Sequence, residues 1–442
     1  MRFGSLQAGK AACLEPGRLS KVAAFHWPFD RRRQFTQMAQ DPISRTFDDQ
    51  LADAQRLHQQ GQLADARAAY DQLLAESPRH PELLRLLGVL NYQTGDLSAA
   101  AELFRRAVKG GSKDGRAMEA LGCVLAETGR EEEAIHCLAQ VAAAHPRQQS
   151  AIFNLGMLLM NQKGRMEEAT RAFQRVVSLD PDNSRARAAL ARAQLCQGQA
   201  WEAMREIDRV LAKKPGNVHA LAHKIAALSQ LGHTPAIEAL VDLDSMIHID
   251  RFESTGGFDR AEELNERLAQ HILSHPTLGD ERTTTHGMDT GEILDSDDPA
   301  ILAFIEVVRR AVNRMAAGLE LEPDHPFVQG RPERWYLTGW GVRMWRGGFQ
   351  IPHYHRDAWI SGVYYVQLPS AVSSADESQQ GWIEFGQGPD DIFQQSTAPT
   401  RRIAPEEGRL IAFPSYFWHR TLPFEDDQER LCISFNVVPA DE

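Results

Sequence analysis

The chain has 442 residues, 43% hydrophobic and 8% aromatic, which is enough for two or three soluble domains with ordinary cores. A formal charge of −12 argues against a general binder of the phosphate backbone, so nucleic acid is not an expected partner. Five cysteines without a CxxC pair indicate neither a disulfide framework nor a zinc knuckle and fit a reducing cytoplasm; no run approaches the roughly 20 apolar residues that span a bilayer, so no membrane partner is expected.

Residues 1–43 lack both a secretory apolar core and a helical period. They read as a disordered extension or as the product of an early start codon, with Met38 as the alternative start. Arg31, Arg32 and Arg33 would suit a transit peptide, but Glu15, Asp30 and the shortage of serine weigh against one.

Glycines then recur at Gly61, Gly95, Gly129, Gly164, Gly198 and Gly232, so successive differences are 34 residues four times and 35 once. Five residues after the first five stands an alanine (Ala66, Ala100, Ala134, Ala169, Ala203), and nine after stands a bulky apolar residue (Tyr70, Phe104, Leu138, Phe173, Ile207). Small then large is the pattern of closely packed helix pairs, and these positions read as core. Proline follows in four units (Pro78, Pro146, Pro181, Pro215), where it ends a helix it cannot continue. Ser112 replaces it in the unit from Gly95, which predicts a looser turn there. A further glycine precedes the turn glycine as Gly88, Gly122 and Gly156, with Ala191 in the fifth unit. This pattern resembles the tetratricopeptide repeat over residues 44–243, about five to six repeats. The resemblance implies an all-α superhelix and a protein or peptide partner on its concave face.

Residues 244–442 change character. A strand-like SMIHID passes a Gly256-Gly257 break into an amphipathic helix; a loop rich in Thr, Gly and Asp follows, and then a helix opened by Asp298-Pro299. These helices, within 258–320, read as the cover of a sheet. From 334 to 439 the period falls to two in GVRMW, SGVYYVQLP, GWIEFG, GRLIAFP and RLCISFNVV, which predicts an antiparallel barrel of jelly-roll type in an α+β domain.

His355 and Asp357 stand two apart, so on an extended segment both reach one ion while Arg356 faces away. With His419 from a neighbouring strand they compose the two-imidazole, one-carboxylate face that suits Fe(II) and leaves positions open. His353 leaves a second pattern open, the HxH of a cupin-type site, although the glutamate that normally follows is missing; His353 is read here as lining the site. The order HxD, SGVYYV, GWIEF, GRLIAFPS, WH and R-x-x-x-S-x-N is similar to the 2-oxoglutarate/Fe(II)-dependent dioxygenase superfamily over about residues 250–442, especially an oxygenase family found behind tetratricopeptide repeats.

The resemblance implies a double-stranded β-helix (jelly-roll) core, His355, Asp357 and His419 as metal ligands, and Arg430 as the anchor of the cosubstrate's distal carboxylate through two parallel hydrogen bonds. It also implies Fe(II), 2-oxoglutarate and O2, with ascorbate as a reductant, and hydroxylation with release of succinate and CO2. Strand parity from Arg430 sends Cys432, Ser434 and Asn436 inward, and Leu431, Ile433, Phe435 and Val437 outward. Ser434 is thereby a second group for the carboxylate. Parity from Asp357 sends Tyr365 inward as a lesser candidate, equally a filler ring. The repeats favour a protein or peptide substrate, with prolyl, aspartyl or asparaginyl hydroxylation as the analogy. The rival readings are a non-catalytic scaffold with an inactive barrel and a small-molecule hydroxylase.

Overall fold

The computed structural model describes residues 46–440 apart from 253, 256, 280–283, 376 and 394–397. The segment 1–43 therefore lies outside the described residues. The chain divides into two compact units, one ending at Ala186 and the other running from Arg187.

The first unit is built from antiparallel helix pairs: α1 (Phe47–Gln59) with α2 (Leu63–Glu76), α3 (Pro81–Gln93) with α4 (Leu97–Lys109), α5 (Arg116–Glu127) with α6 (Glu131–Ala144), and α7 (Gln149–Asn161) with α8 (Met166–Leu179). The periodic glycines hold the turns inside the pairs. Gly61, Gly95, Gly129 and Gly164 have φ between +77° and +85°, and a Cβ at any of them would meet nothing within 4 Å. Backbone conformation, not space, therefore requires glycine there. The second glycine has the other cause: a Cβ at Gly88 or Gly156 would lie 2.6 or 2.7 Å from the ring of Phe104 or Phe173. Where Ser112 replaces the proline, Asp114 holds the turn, accepting from the Ser112 hydroxyl and the Arg116 amide at 3.2 and 3.1 Å.

The repeat pattern continues across the division through α9 (Ser184–Leu195), α10 (Ala200–Leu211), α11 (Val218–Gln230) and the short α12 (Thr234–Glu238). Then follow β1 (His248–Arg251), α13 (Ala261–Ser274), β2 (Thr284–Asp289), α14 (Pro299–Gly318), α15 (Pro326–Gln329) and the strands β3 (Trp335–His353), β4 (Ile360–Gln367), β5 (Ile383–Phe385), β6 (Arg401–Ile403), β7 (Arg409–Pro414), β8 (His419–Thr421) and β9 (Arg430–Pro439). The strands form one curled antiparallel sheet of jelly-roll character in the order β1-β7-β4-β9-β3-β8-β5-β6, with β2 also on β3. Its curl follows from β3, whose 19 residues pair with β9 over Trp335–Met344 and with β8 at Gln350 and His353.

Helices α13 and α14 cover the outer face as the sequence predicts. Asn265 of α13 accepts a hydrogen bond from the Tyr364 hydroxyl at 2.8 Å, and Phe304 of α14 meets the rings of Tyr364 and Phe435. The segment TTHGMD, read from sequence as loop, forms β2. Repeat pattern and compact unit end at different places, because one continuous core runs from Ala191 through α10 and α11 to Val437 of β9. The last repeat helices fold with the strands.

Candidate metal and cosubstrate site

Register sets the inner surface. Trp340, Val342 and Met344 of β3 stand opposite Ser434, Cys432 and Arg430 of β9, while Ser361, Val363 and Tyr365 of β4 stand opposite Asn436, Ser434 and Cys432. Directly opposed residues share a face, so these side chains line one inward surface. Arg430, Ser434 and Tyr365 all lie on it, as parity placed them.

Three histidines meet at one end. His353 closes β3, its pairing partner His419 opens β8, and His355 follows two residues past the strand end. A nitrogen of each ring lies within 4.8 Å of a nitrogen of the others, making this the group among the described residues that fits one metal ion. Ring centroids are 4.2 Å apart for His353 and His419, and 5.2 Å for His355 and His419, the latter pair nearly parallel.

Backbone carbonyls fix two of the tautomers. His353 Nδ1 donates to the Ile351 carbonyl at 2.8 Å and His419 Nδ1 to that of Phe417 at 3.0 Å, so each Nε2 keeps a free lone pair. His355 is placed from its backbone, whose N–H donates to the Ser415 carbonyl at 3.0 Å. The Asn436 amide flanks its ring, and Asn436 is itself held by the Ser361 hydroxyl at 2.8 Å. Burial, and then the neighbouring His353, push His355 down to about 3. Burial and the two other imidazoles hold His419 well below the usual range, and burial lowers His353 too. All three rings are therefore neutral near pH 7, the form that ligates.

Asp357 is not in that group: it is exposed, in a turn over residues 356–357 beyond the end of β3. His353, read from sequence as lining the site, stands within the histidine group, and the HYH spacing is the signal that points to it. Asn436 was placed inward, but its position beside His355 went unread.

Arg430 is the buried cation of the same inward surface. It is 2% exposed, donates from one terminal nitrogen to the Gly381 carbonyl at 2.6 Å, and has no partner for Nε among the described residues. Its guanidinium stands 5.2 Å from the centre of the Tyr365 ring, and the buried Tyr365 hydroxyl, although close enough to interact with Arg430, makes no well-formed hydrogen bond among the described residues. Burial pushes that hydroxyl up to about 12 against the opposing pull of Arg430. A buried cation and a buried hydroxyl with unmet hydrogen-bonding capacity fit an incoming carboxylate, and three convergent neutral imidazoles fit a divalent first-row metal such as iron.

The chain thus carries tetratricopeptide repeats followed by a domain similar to the 2-oxoglutarate/Fe(II) oxygenases. The family model described as "Putative 2OG-Fe(II) oxygenase" matches residues 338–436, and tetratricopeptide repeat models match 51–115, 119–183 and 160–228. Cellulose synthase operon protein C of Pseudomonas fluorescens (strain SBW25) is 27% identical over 197 residues, which are 43% of this chain and 15% of that protein. The chain therefore spans only a small part of this curated relative's length. Among solved structures, YrrB, a TPR protein with an unusual peptide-binding site, is similar at 23% identity and a TM-score of 0.36, over 40% of this chain and 90% of that one. PilF of Pseudomonas aeruginosa is similar at 19% identity and a TM-score of 0.39, over 44% of this chain and 87% of that one.

Proposed function

We propose that the protein is a 2-oxoglutarate- and Fe(II)-dependent dioxygenase that hydroxylates a side chain of a protein or peptide recruited by its repeats, releasing succinate and CO2. The observation that carries this reading is the pairing of a convergent histidine group with a buried, under-satisfied Arg430 on one inward surface. His355 and His419 hold the metal, with His353 as third ligand; the exposed Asp357 is the rival for that third place.

Bound iron would supply the activation of dioxygen coupled to oxidative decarboxylation of the 2-oxo acid. The side chains do the rest. The carbonyls of Ile351 and Phe417 aim the Nε2 lone pairs of His353 and His419, and the Ser415 carbonyl and Asn436 set His355. Arg430 holds the distal carboxylate of the cosubstrate, assisted by Ser434 and by the hydroxyl of Tyr365. Apolar Val342, Val363 and Met344 on the same surface keep water from the reacting centre.

The test is succinate formation by the full chain supplied with Fe(II), 2-oxoglutarate and ascorbate, first without and then with candidate peptides. His355→Ala and His419→Ala should each lower the rate by about 100-fold or more, since loss of a group that merely orients a ligand already costs about 10- to 100-fold. His353→Ala should match them, whereas Asp357→Ala should retain activity; the reverse order would return the third place to the carboxylate. A wild-type chain that makes no succinate under any of these conditions would leave the scaffold reading in its place.

A further inference from the structure

Two residues adjacent in sequence to the histidine group turn away from it toward one destination. Tyr354 lies between His353 and His355, and Trp418 immediately precedes His419. The Tyr354 hydroxyl is hydrogen-bonded to the His219 ring of α11, and the Trp418 indole N–H donates to the Ala222 carbonyl of the same helix at 2.9 Å. The rings of Tyr354 and Trp418 meet edge-on at 4.7 Å, and His223 packs against both, at 6.0 and 6.5 Å between centroids.

His219, Ala222 and His223 are spaced i, i+3, i+4 and so form one helix face. Relative to the turn glycine Gly232 they belong to the repeat pattern, yet that face is filled by the two segments that carry all three candidate ligands. His223 is fully buried; its Nδ1 donates to the His219 carbonyl at 2.8 Å, while its Nε2 has no partner among the described residues. Simple packing would be served by an apolar side chain here.

We infer that His219 and His223 of α11 are positioning residues for the metal ligands, acting through Tyr354 and Trp418. The inference rests on the three-histidine reading above. The end of β3 and the three-residue β8 are tied by two register pairs, Gln350 with Thr421 and His353 with His419, with an irregularity between them. Docking both on one rigid helix fixes the spacing of the imidazoles independently of the metal. The last repeat helix thereby belongs to the metal site as well as to the repeat array.

The test is Co(II) titration of the full chain, read by visible absorption of the bound ion, with the melting temperature of the metal-free protein measured in parallel. His219→Ala and Tyr354→Phe should each raise the Co(II) dissociation constant by about tenfold, the size of effect found when a group that orients a ligand is removed. The double variant should be no worse than either, because both remove one link, and His219→Gln should restore part of the affinity. Tyr416→Phe is the control: it deletes a hydrogen bond from the same barrel segment to the Leu240 carbonyl, at 2.7 Å, while keeping the ring and the backbone carbonyls of the adjacent Ser415 and Phe417. It should lower the melting temperature and leave Co(II) affinity as in the wild type. Unchanged affinity in His219→Ala and Tyr354→Phe, or equal loss in Tyr416→Phe, would overturn the bracing role while the metal site stands. A wild-type chain that binds no Co(II) would overturn the three-histidine reading and this inference with it.

Discussion

The two faces of β9 are cut from one ten-residue strand and both are withdrawn from water, yet they are built to different rules. Leu431, Ile433, Phe435 and Val437 have no polar side-chain atom to satisfy, and Phe435 closes against Phe304 of α14. On the other face Arg430 keeps an Nε without a partner among the described residues, beside a Tyr365 hydroxyl that makes no well-formed hydrogen bond. Burial is common to both. The state of the hydrogen-bonding groups separates them: a complete apolar face stabilises the fold, whereas an incomplete polar face awaits a ligand.

Phe435→Ala is the largest perturbation of this contrast. A fully buried phenylalanine truncated to alanine costs about 3–5 kcal/mol, since the cavity left adds to the lost transfer energy. Urea unfolding followed by tryptophan fluorescence reports on the correct unit, because the described tryptophans all lie beyond residue 200. The midpoint should fall while 2-oxoglutarate affinity of the folded protein is kept. An unchanged midpoint with lost affinity would break the comparison.

Arg430→Met should do the opposite. Loss of charge-assisted hydrogen bonds of about 1.5–3 kcal/mol predicts a KM for 2-oxoglutarate raised by roughly 10- to 100-fold. The melting temperature should hold or rise, because an uncompensated buried charge is replaced by an apolar chain of similar volume. Co(II) affinity should not change. If the metal is lost as well, Arg430 is part of the framework.

A third buried polar group extends the contrast to the repeat side. Burial lowers His223 from 6.5 to about 3, so the unfolded chain takes up this proton first as pH falls. Its contribution to stability is complete above about pH 6.5 and declines by roughly 1.4 kcal/mol per pH unit on acidification, until the folded form also protonates near pH 3. In His223→Leu, urea midpoints of the metal-free chain between pH 6 and 4 should therefore fall less steeply than in the wild type. Equal slopes would mean that the ring is already solvated in the native state.

Much of this could be read along the chain. Turn glycines, buried alanines and the parity of β9 each follow from local chemistry, and each stands in the structure where the sequence put it. What escaped depends on partners far away in sequence. Thr284–Asp289 looks like loop until β3 offers it an edge to pair with, and the division after Ala186 follows from a core that the last repeats share with strands up to Val437. The nearness of His353 to His419 escaped for the same kind of reason. β3 stops at His353 and residues 356–357 turn, so strand parity alone does not carry as far as Asp357. The pairing of His353 with His419 is a long-range fact that no local period carries.

The smallest expected effect tests the contrast most finely. Tyr365 presents an apolar ring and one polar atom to the inner face, so it belongs to both rules at once. Tyr365→Phe removes a buried hydroxyl that makes no well-formed hydrogen bond among the described residues, so the metal-free protein should lose no stability and should gain up to about 1 kcal/mol. If the hydroxyl meets the cosubstrate's carboxylate beside Arg430, the same change should raise the KM for 2-oxoglutarate by about tenfold, the lower end of what a hydrogen bond to a charged group is worth, with kcat unaltered. A gain in stability with KM unchanged would make the ring a filler and leave Arg430 and Ser434 to hold the carboxylate. The sign of the stability change and the size of the KM change are independent, so one substitution tells which rule governs this residue.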